Sequence, residues 1–305
     1  MRGRSFLTIG DLSSSEIDTL LDTAREQKAA TNGDHRTALA GKTVVLLFDK
    51  PSLRTRVSFE RATRQLGADA LYLSPAEVGL GSRELIKDVA RVLSRYCDAI
   101  VCRTFGQEVL VELDEYSSVP VINALSDWEH PCQTLADLLT MREHGGTRGR
   151  TVTFVGDGNN VARSLSQGAA SEGMHVRLVA PSAYTLDGPS VAAARERAAS
   201  ASGSVTLYTD PTEGVRGADI VYTDVWTSMG QEAESAARVA AFAGFQVTTE
   251  LLGQAGPDAI LMHDLPAHRG EEISDEAIEG RQSVVFDQAE NRLHAQQALL
   301  WHVLR

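Results

Sequence analysis

The sequence predicts an α/β protein of two doubly wound parallel-sheet domains with a cleft between them. Three observations lead there. Short apolar runs of strand length alternate with longer segments of helical period, and strands that alternate with helices join into parallel sheets through right-handed crossovers. The alternation is broken by Gly145-Gly146-Thr147-Arg148-Gly149 and then begins again. Each polar cluster stands directly after an apolar run, at the carboxyl end of a strand, which is where open parallel sheets bind their ligands.

The elements follow in order. Ser13-Ser14-Ser15-Glu16 offers a capping box, and Ile17, Leu20, Leu21 and Ala24 mark one face of the helix behind it. The run 43–48, all apolar after Thr43, is a buried strand, and 57–66 is a helix stopped by Gly67. A strand over 69–73, a helix over 83–96, a strand over 99–102, a helix over 107–115 and a strand over 119–122 continue the pattern. Residues 131–144 form a long helix with Pro131 at its first position. The domain boundary falls along it, which gives a first domain over 1–140 and a second over 141–288. In the second domain strands are expected at 151–155, 174–180, 204–208, 219–222, 260–262 and 283–286, with helices at 161–172 and 191–201. A last helix from residue 289 brings the end of the chain, 289–305, back to the first domain.

Composition narrows the partners. Of 305 residues, 43% are hydrophobic, enough for two sizeable cores. The net charge of −12 excludes general nucleic-acid binding, so an anionic substrate needs a local basic island. Cys97, Cys102 and Cys132 have neither metal-ligand spacing nor a disulfide framework, which fits a reducing cytoplasm. The start, Met1-Arg2-Gly3-Arg4-Ser5-Phe6, has no apolar signal core, and no run reaches membrane-spanning length. No metal and no membrane are expected.

Chemistry concentrates first in Lys50-Pro51-Ser52-Leu53-Arg54-Thr55-Arg56, at a strand-to-helix junction. The first turn of a helix exposes free N–H groups and a partial positive charge, hydroxyls add donors, and arginine binds phosphate with two charge-assisted bonds. A phosphate site is the functional reading; an N-capped helix with surface arginines is the plain one. Ordinary first turns prefer Asp and Glu, and this one carries Arg. Arg103-Thr104 follows another strand and could bring a second guanidinium to the same anion, or simply be solvated. His130-Pro131-Cys132-Gln133 opens the long helix, where His130 and Gln133 can donate to a carbonyl oxygen or merely cap.

In the second domain, Gly156-Asp157-Gly158-Asn159-Asn160 half-matches the dinucleotide fingerprint, but Val161 replaces the third glycine and no acid follows the next strand. The asparagines suit an amino-acid head group, or a tight turn. In Asp224-Val225-Trp226-Thr227-Ser228-Met229-Gly230 the acid can pair with an ammonium and Ser228 with a carboxylate. His263-Asp264-Leu265-Pro266-Ala267-His268-Arg269-Gly270 is a further strand-end cluster, and Glu290-Asn291-Arg292 stands in the last helix.

Taken as a set and in this order, these stretches resemble the aspartate/ornithine carbamoyltransferase family over nearly the whole chain. The loops around Ser228-Met229-Gly230 and His263 to Gly270 are most similar to the ornithine enzymes. The resemblance implies that Ser52, the Leu53 backbone, Arg54, Thr55 and Arg103 hold the phosphate of carbamoyl phosphate. His130, Gln133 and Arg292 would address the carbamoyl group, while Asn160, Asp224, Ser228, Met229 and Leu265 hold the amino-acid acceptor. It implies as well a homotrimer or multiple of trimers with active sites near subunit interfaces, no cofactor, and a setting in cytoplasmic amino-acid metabolism such as arginine biosynthesis. Two positions depart from the ornithine pattern. Asp264 stands where the family carries a cysteine beside the attacking amine, and Gly79 stands where a Gln or His is usual; Arg83 is the candidate substitute for that side chain. Asp264 is therefore placed among the catalytic candidates, as a general base or as the mark of a different diamino-acid acceptor. The competing expectations are a non-catalytic phosphate-ligand homologue and, weakened by Val161, a nicotinamide oxidoreductase.

Overall fold

A computed structural model describes residues 1–30, 34–228 and 230–305. The chain divides into two compact units, Met1–Leu139 with Glu290–Arg305, and Thr140–Ala289.

In the first unit, strands β1 (Thr43–Phe48), β2 (Asp69–Leu73), β3 (Ala99–Arg103) and β4 (Val121–Leu125) form a parallel sheet in the order β2-β1-β3-β4. β1 and β3 are central, and their continuous apolar runs are covered on both faces. Val45, Leu47, Ile100 and Cys102 pack against Val89 and Ala90 of helix Ile86–Leu93 and Leu110 and Leu113 of helix Gln107–Tyr116. The edge strand β2 alternates exposed and half-buried positions, leaving Leu71 in solvent.

In the second unit, β5 (Thr151–Val155), β6 (His175–Val179), β7 (Ser204–Tyr208), β8 (Ile220–Thr223) and β9 (Ile260–His263) form a parallel sheet ordered β7-β6-β5-β8-β9. Its core joins Val155, Val179, Val221 and Leu261 to Trp226, Phe242, Ile273 and Ile278. Each sheet reverses direction of growth once. The reversal lies between β1 and β3 in the first unit and between β5 and β8 in the second. Such switch points open the crevice in which doubly wound sheets bind ligands.

Several element boundaries differ from expectation, and four of them have a clear local reason. The helix after β1 begins at Leu53, four residues before the predicted start, because Ser52 caps it by accepting the Thr55 N–H (3.3 Å). The helix expected over 83–96 spans only Ile86–Leu93, since Gly81 N–H bonds the Glu84 carbonyl (2.9 Å) and closes a turn in front of it. β4 starts at Val121 because the Ser117 hydroxyl takes the Val119 N–H (3.1 Å) and Pro120 has none to give. Residues 283–286 are no strand. Ser283 makes one bridge to Leu261, and the Val284 carbonyl then accepts the Gln288 N–H (2.9 Å), opening helix Val285–Leu304. A four-residue apolar run has no period long enough to separate the two outcomes. Among the described residues no helix is long and apolar enough to cross a membrane.

Candidate active site

The first unit builds a cationic half-site at its switch point. Helix Leu53–Gln65 starts there with the N–H groups of Leu53 and Arg54 in the first turn, where no carbonyl of the helix reaches them. The Leu53 side chain is 75% exposed, so only its backbone faces the junction chemistry. Arg54 is half-buried and has no ion-pair partner among the described residues. Thr55 is buried, and its hydroxyl accepts from Arg292 Nη2 (2.9 Å). Arg292 also donates through Nη1 to Gln133 Oε1 (2.5 Å), and Gln133 in turn donates to Asp137 Oδ1 (2.8 Å). Gln133 therefore stands behind Arg292 and fixes its plane. A helix, Pro131–Glu143, and the last helix of the chain thus meet the β1 junction through one guanidinium.

His130 is buried at the mouth of helix Pro131–Glu143. Burial pushes its imidazole well below the usual histidine range, and the charges of Arg292 and Arg103 push it the same way. It is a neutral imidazole between two arginines, able to donate a hydrogen bond without carrying charge. Arg103 is buried at the end of β3, and its carbonyl accepts the Asp49 N–H (2.7 Å), which ties the β1 and β3 ends together. Two cations of the same neighbourhood are engaged elsewhere. Lys50 is buried against Asp127 with its ammonium 4.1 Å above the Phe105 ring, and Arg56 lies 3.6 Å above Tyr72 while bonding Glu60 (2.9 Å).

The second unit builds an anionic half-site at its own switch point. Asp224, 6% exposed after β8, accepts from Asn159 Nδ2 (2.7 Å) and from the Val225 N–H (2.7 Å). Asn159 also caps helix Asn160–Ser171 and is the asparagine that bonds Asp224; Asn160, expected at the acceptor's head group, is the half-buried first residue of that helix. Asp224, His263 and Asp264 bring ligand atoms within 4.8 Å of one another. Asp264 has 11% of its side chain exposed, and its Oδ1 is 3.6 Å from His263 Nδ1. The Ser228 N–H donates to Gln231 Oε1 (3.3 Å). Met229 lies outside the described residues.

Leu265 has φ +60°, the left-handed region that costs a non-glycine residue roughly 1–3 kcal/mol and collects at functional sites. Its N–H donates to His263 Nδ1 (2.9 Å), so the His263 proton sits on Nε2, 3.0 Å from Glu272 Oε1. Glu272 also accepts the His268 N–H (2.6 Å). The sequence alone assigns no role to His263 or Glu272; their fixed spacing of nine residues in one strand-end loop is the only local signal of the pair.

The dinucleotide reading meets a steric objection. A Cβ on Gly158 would lie 2.3 Å from the Leu186 nitrogen, and Gly158 N–H donates to the Tyr184 carbonyl (2.8 Å). The backbone of residues 184–186 packs directly on this turn. Gly79, for its part, closes helix Pro75–Val78 at φ +59°, where a Cβ would come 2.8 Å from Arg83 Cβ. Arg83 donates to the Glu77 carbonyl (3.0 Å), inside its own loop.

An α/β protein with arginines collected at one switch point and carboxylates at another is built to hold an anionic donor and a cationic acceptor. The chain belongs to the aspartate/ornithine carbamoyltransferase family. Residues 4–143 match the family's carbamoyl-P binding domain and residues 148–303 its Asp/Orn binding domain. An ornithine carbamoyltransferase of Symbiobacterium thermophilum is 53% identical over 98% of this chain and 97% of its own. One of Pyrococcus abyssi is 48% identical over 98% of this chain and 95% of its own. The solved structure of an ornithine carbamoyltransferase from Pyrococcus furiosus superposes with a TM-score of 0.96 at 48% identity, covering 99% of this chain and 97% of that one.

Proposed function

We propose that this protein transfers the carbamoyl group of carbamoyl phosphate to the side-chain amine of ornithine, giving citrulline and phosphate. The observation that carries this reading is the single neighbourhood shared by Arg292, Thr55, Gln133, His130 and Arg103. The neutral amine attacks the carbamoyl carbon, an oxyanion develops on its oxygen, the bond to phosphate oxygen breaks with the electron pair leaving on phosphate, and the proton shed by the attacking nitrogen passes to the departing phosphate. Arg292 and His130 are the donors for the developing oxyanion. Arg54, Arg103, Ser52, Thr55 and the Leu53 and Arg54 N–H groups take the phosphate, whose leaving they ease by matching its charge. Asp224 with Asn159, Asn160 and Ser228 takes the amino-acid head of the acceptor, and Leu265 lines the same strand-end loop as Asp264. Formation of a ureido product from carbamoyl phosphate and L-ornithine tests the reading; absence of product with every diamino acid tried overturns it.

Asp264 supports a second acceptor as an alternative. Two carboxylates in one cluster favour the charged form of an amine, which cannot attack, unless one of them removes its proton. The shorter or more cationic the acceptor, the better that arrangement suits it. Asp264→Cys is expected to raise the ratio of ornithine to diaminobutyrate turnover by about tenfold; an unchanged ratio removes Asp264 as the acceptor determinant.

A cytoplasmic setting in arginine biosynthesis fits three buried, free cysteines, with the thiols of Cys97 and Cys132 pushed up by burial to about 11 and about 12. A trimer, or a multiple of one, is supported by the apolar face left open on the first unit. Leu53, Val57 and Leu71 are at least half exposed there, around the edge strand β2 and its neighbouring helix. Light scattering of the purified protein measures that mass directly.

A further inference from the structure

We propose that Arg238 is a positioning residue of the acceptor half-site: it spans the loops after β5 and β8 and cancels the carboxylate that would otherwise compete with Asp224 for the acceptor's ammonium. The proposal rests on the carbamoyl-transfer reading and adds to it a residue that no sequence motif singles out.

Arg238 lies on the short helix Ser235–Ala241, outside both loops, yet is only 7% exposed. Its Nη1 donates to Asp157 Oδ2 (2.8 Å) and to the Trp226 carbonyl (3.1 Å), and its Nε donates to Glu234 (3.1 Å). Asp157 belongs to the β5 loop that continues into Asn159 and Asn160. Trp226 belongs to the β8 loop between Asp224 and Ser228. One guanidinium therefore holds the backbone of one loop and the side chain of the other, with the rigid fork that suits arginine to this task. The link is closed a second time by Asn159, which donates to Asp224 (2.7 Å). On its other side Trp226 is stacked on Phe242 at 5.4 Å and 16°, and the Arg238 guanidinium lies 5.1 Å over Tyr184. The Asp224 end of the acceptor loop is thus pinned from two directions, by Asn159 from within the acceptor head group's neighbourhood and by Arg238 from outside it.

The charge argument is separate from the geometric one. Asp157 is nearly buried, and burial raises its proton affinity; Arg238 opposes this, and the Asp224 charge adds to it. Asp157 and Asp224 therefore feel each other. With Arg238 in place, Asp157 is compensated, and the Asp224–Asp264 cluster is left as the carboxylate pair that faces an ammonium. Without Arg238 a further, uncompensated acid, Asp157, sits near Asp224, and the Asp224 loop loses its anchor at the Trp226 carbonyl.

Two variants separate positioning from plain stability. Arg238→Met is expected to raise the acceptor KM roughly ten- to hundredfold, the scale of a displacement of about an ångström, while the carbamoyl-phosphate KM stays within about twofold. The melting temperature falls as well, because Asp157 is left buried and unpaired. The double variant Asp157→Asn with Arg238→Met removes that orphaned charge. It is expected to regain most of the lost melting temperature but to keep an acceptor KM at least about fivefold above wild type, since the Trp226 carbonyl remains unheld. An acceptor KM that returns to wild type together with the melting temperature overturns the inference, as does an equal rise in both KM values in either variant. A wild-type protein that makes no ureido product with any diamino acid removes the carbamoyl-transfer reading and this inference with it. An active wild type beside an Arg238→Met of unchanged acceptor KM removes this inference alone.

Discussion

Arg54→Met is expected to lower kcat/KM for carbamoyl phosphate by about 10³-fold and to change the melting temperature little. Arg54 occupies the second position of helix Leu53–Gln65, beside free first-turn N–H groups and directly before Thr55. It has no ion-pair partner among the described residues, so its removal strands no carboxylate. On the proposed reading, what is lost is a charge-assisted donor to an anion whose charge grows as the bond to carbon breaks. A donor of that kind contributes roughly 10²–10³ in rate, and one that also binds the ground-state phosphate contributes to both kcat and KM. A surface arginine of a partly exposed helix start contributes on the order of half a kcal/mol to stability. Steady-state kinetics with a parallel thermal melt checks both halves of the expectation. A loss of activity that follows the loss of fold, or a kcat/KM within about threefold of wild type, would place the phosphate elsewhere.

The two half-sites share one construction. Each lies past the carboxyl ends of the two strands that flank a reversal in strand order, and each begins at the start of a helix, Leu53–Gln65 in one unit and Asn160–Ser171 in the other. The sign of the ligand is then set by side chains. The first unit places Arg54 and Arg103 at its two switch-point strands, and the second places Asn159 and Asp224 at the equivalent ones. Backbone geometry provides the crevice in both, and a few charged residues decide which substrate fits it.

Much of this construction is legible in the sequence. Continuous apolar runs such as Val44 to Phe48 announce buried parallel strands, and the polar residues directly behind them announce a ligand face. What the sequence hides is whatever depends on long-range pairing. Nothing local marks Arg238 as the partner of Asp157, 81 positions away, or Gln133 as the support of Arg292, 159 positions away. Asn159 and Asn160 are chemically identical neighbours, and only the cap geometry tells which one reaches Asp224. Residues 283–286 mislead for the opposite reason, because a short apolar run satisfies a strand and a helix start equally well. Gly79 is legible in the other direction: its φ of +59° explains why the position favours glycine, which the sequence presents only as an oddity.

His130→Ala is expected to lower kcat by roughly 10²–10³ through loss of a preorganised oxyanion donor, with carbamoyl-phosphate binding less affected. The pH dependence distinguishes this role from that of a titrating acid. Burial, Arg292 and Arg103 all depress the His130 imidazole below its value of about 6.5 in an unfolded chain. As the pH falls below that value, the unfolded chain takes up a proton on this residue and the folded one does not. Stability contributed by the neutral imidazole is therefore fully present above pH about 6.5 and declines below it, because there the unfolded state binds more protons. Two measurements follow. His130→Gln should flatten the fall in melting temperature between pH about 6.5 and 5, since the variant has no proton to gain at this position. The acid limb of kcat/KM should stay at the same pH in wild type and His130→Gln, because a histidine already neutral there does not produce it. An acid limb that vanishes with His130 would mean that the imidazole is protonated in the working enzyme, and the neutral donor placed between the two arginines would have to be given up.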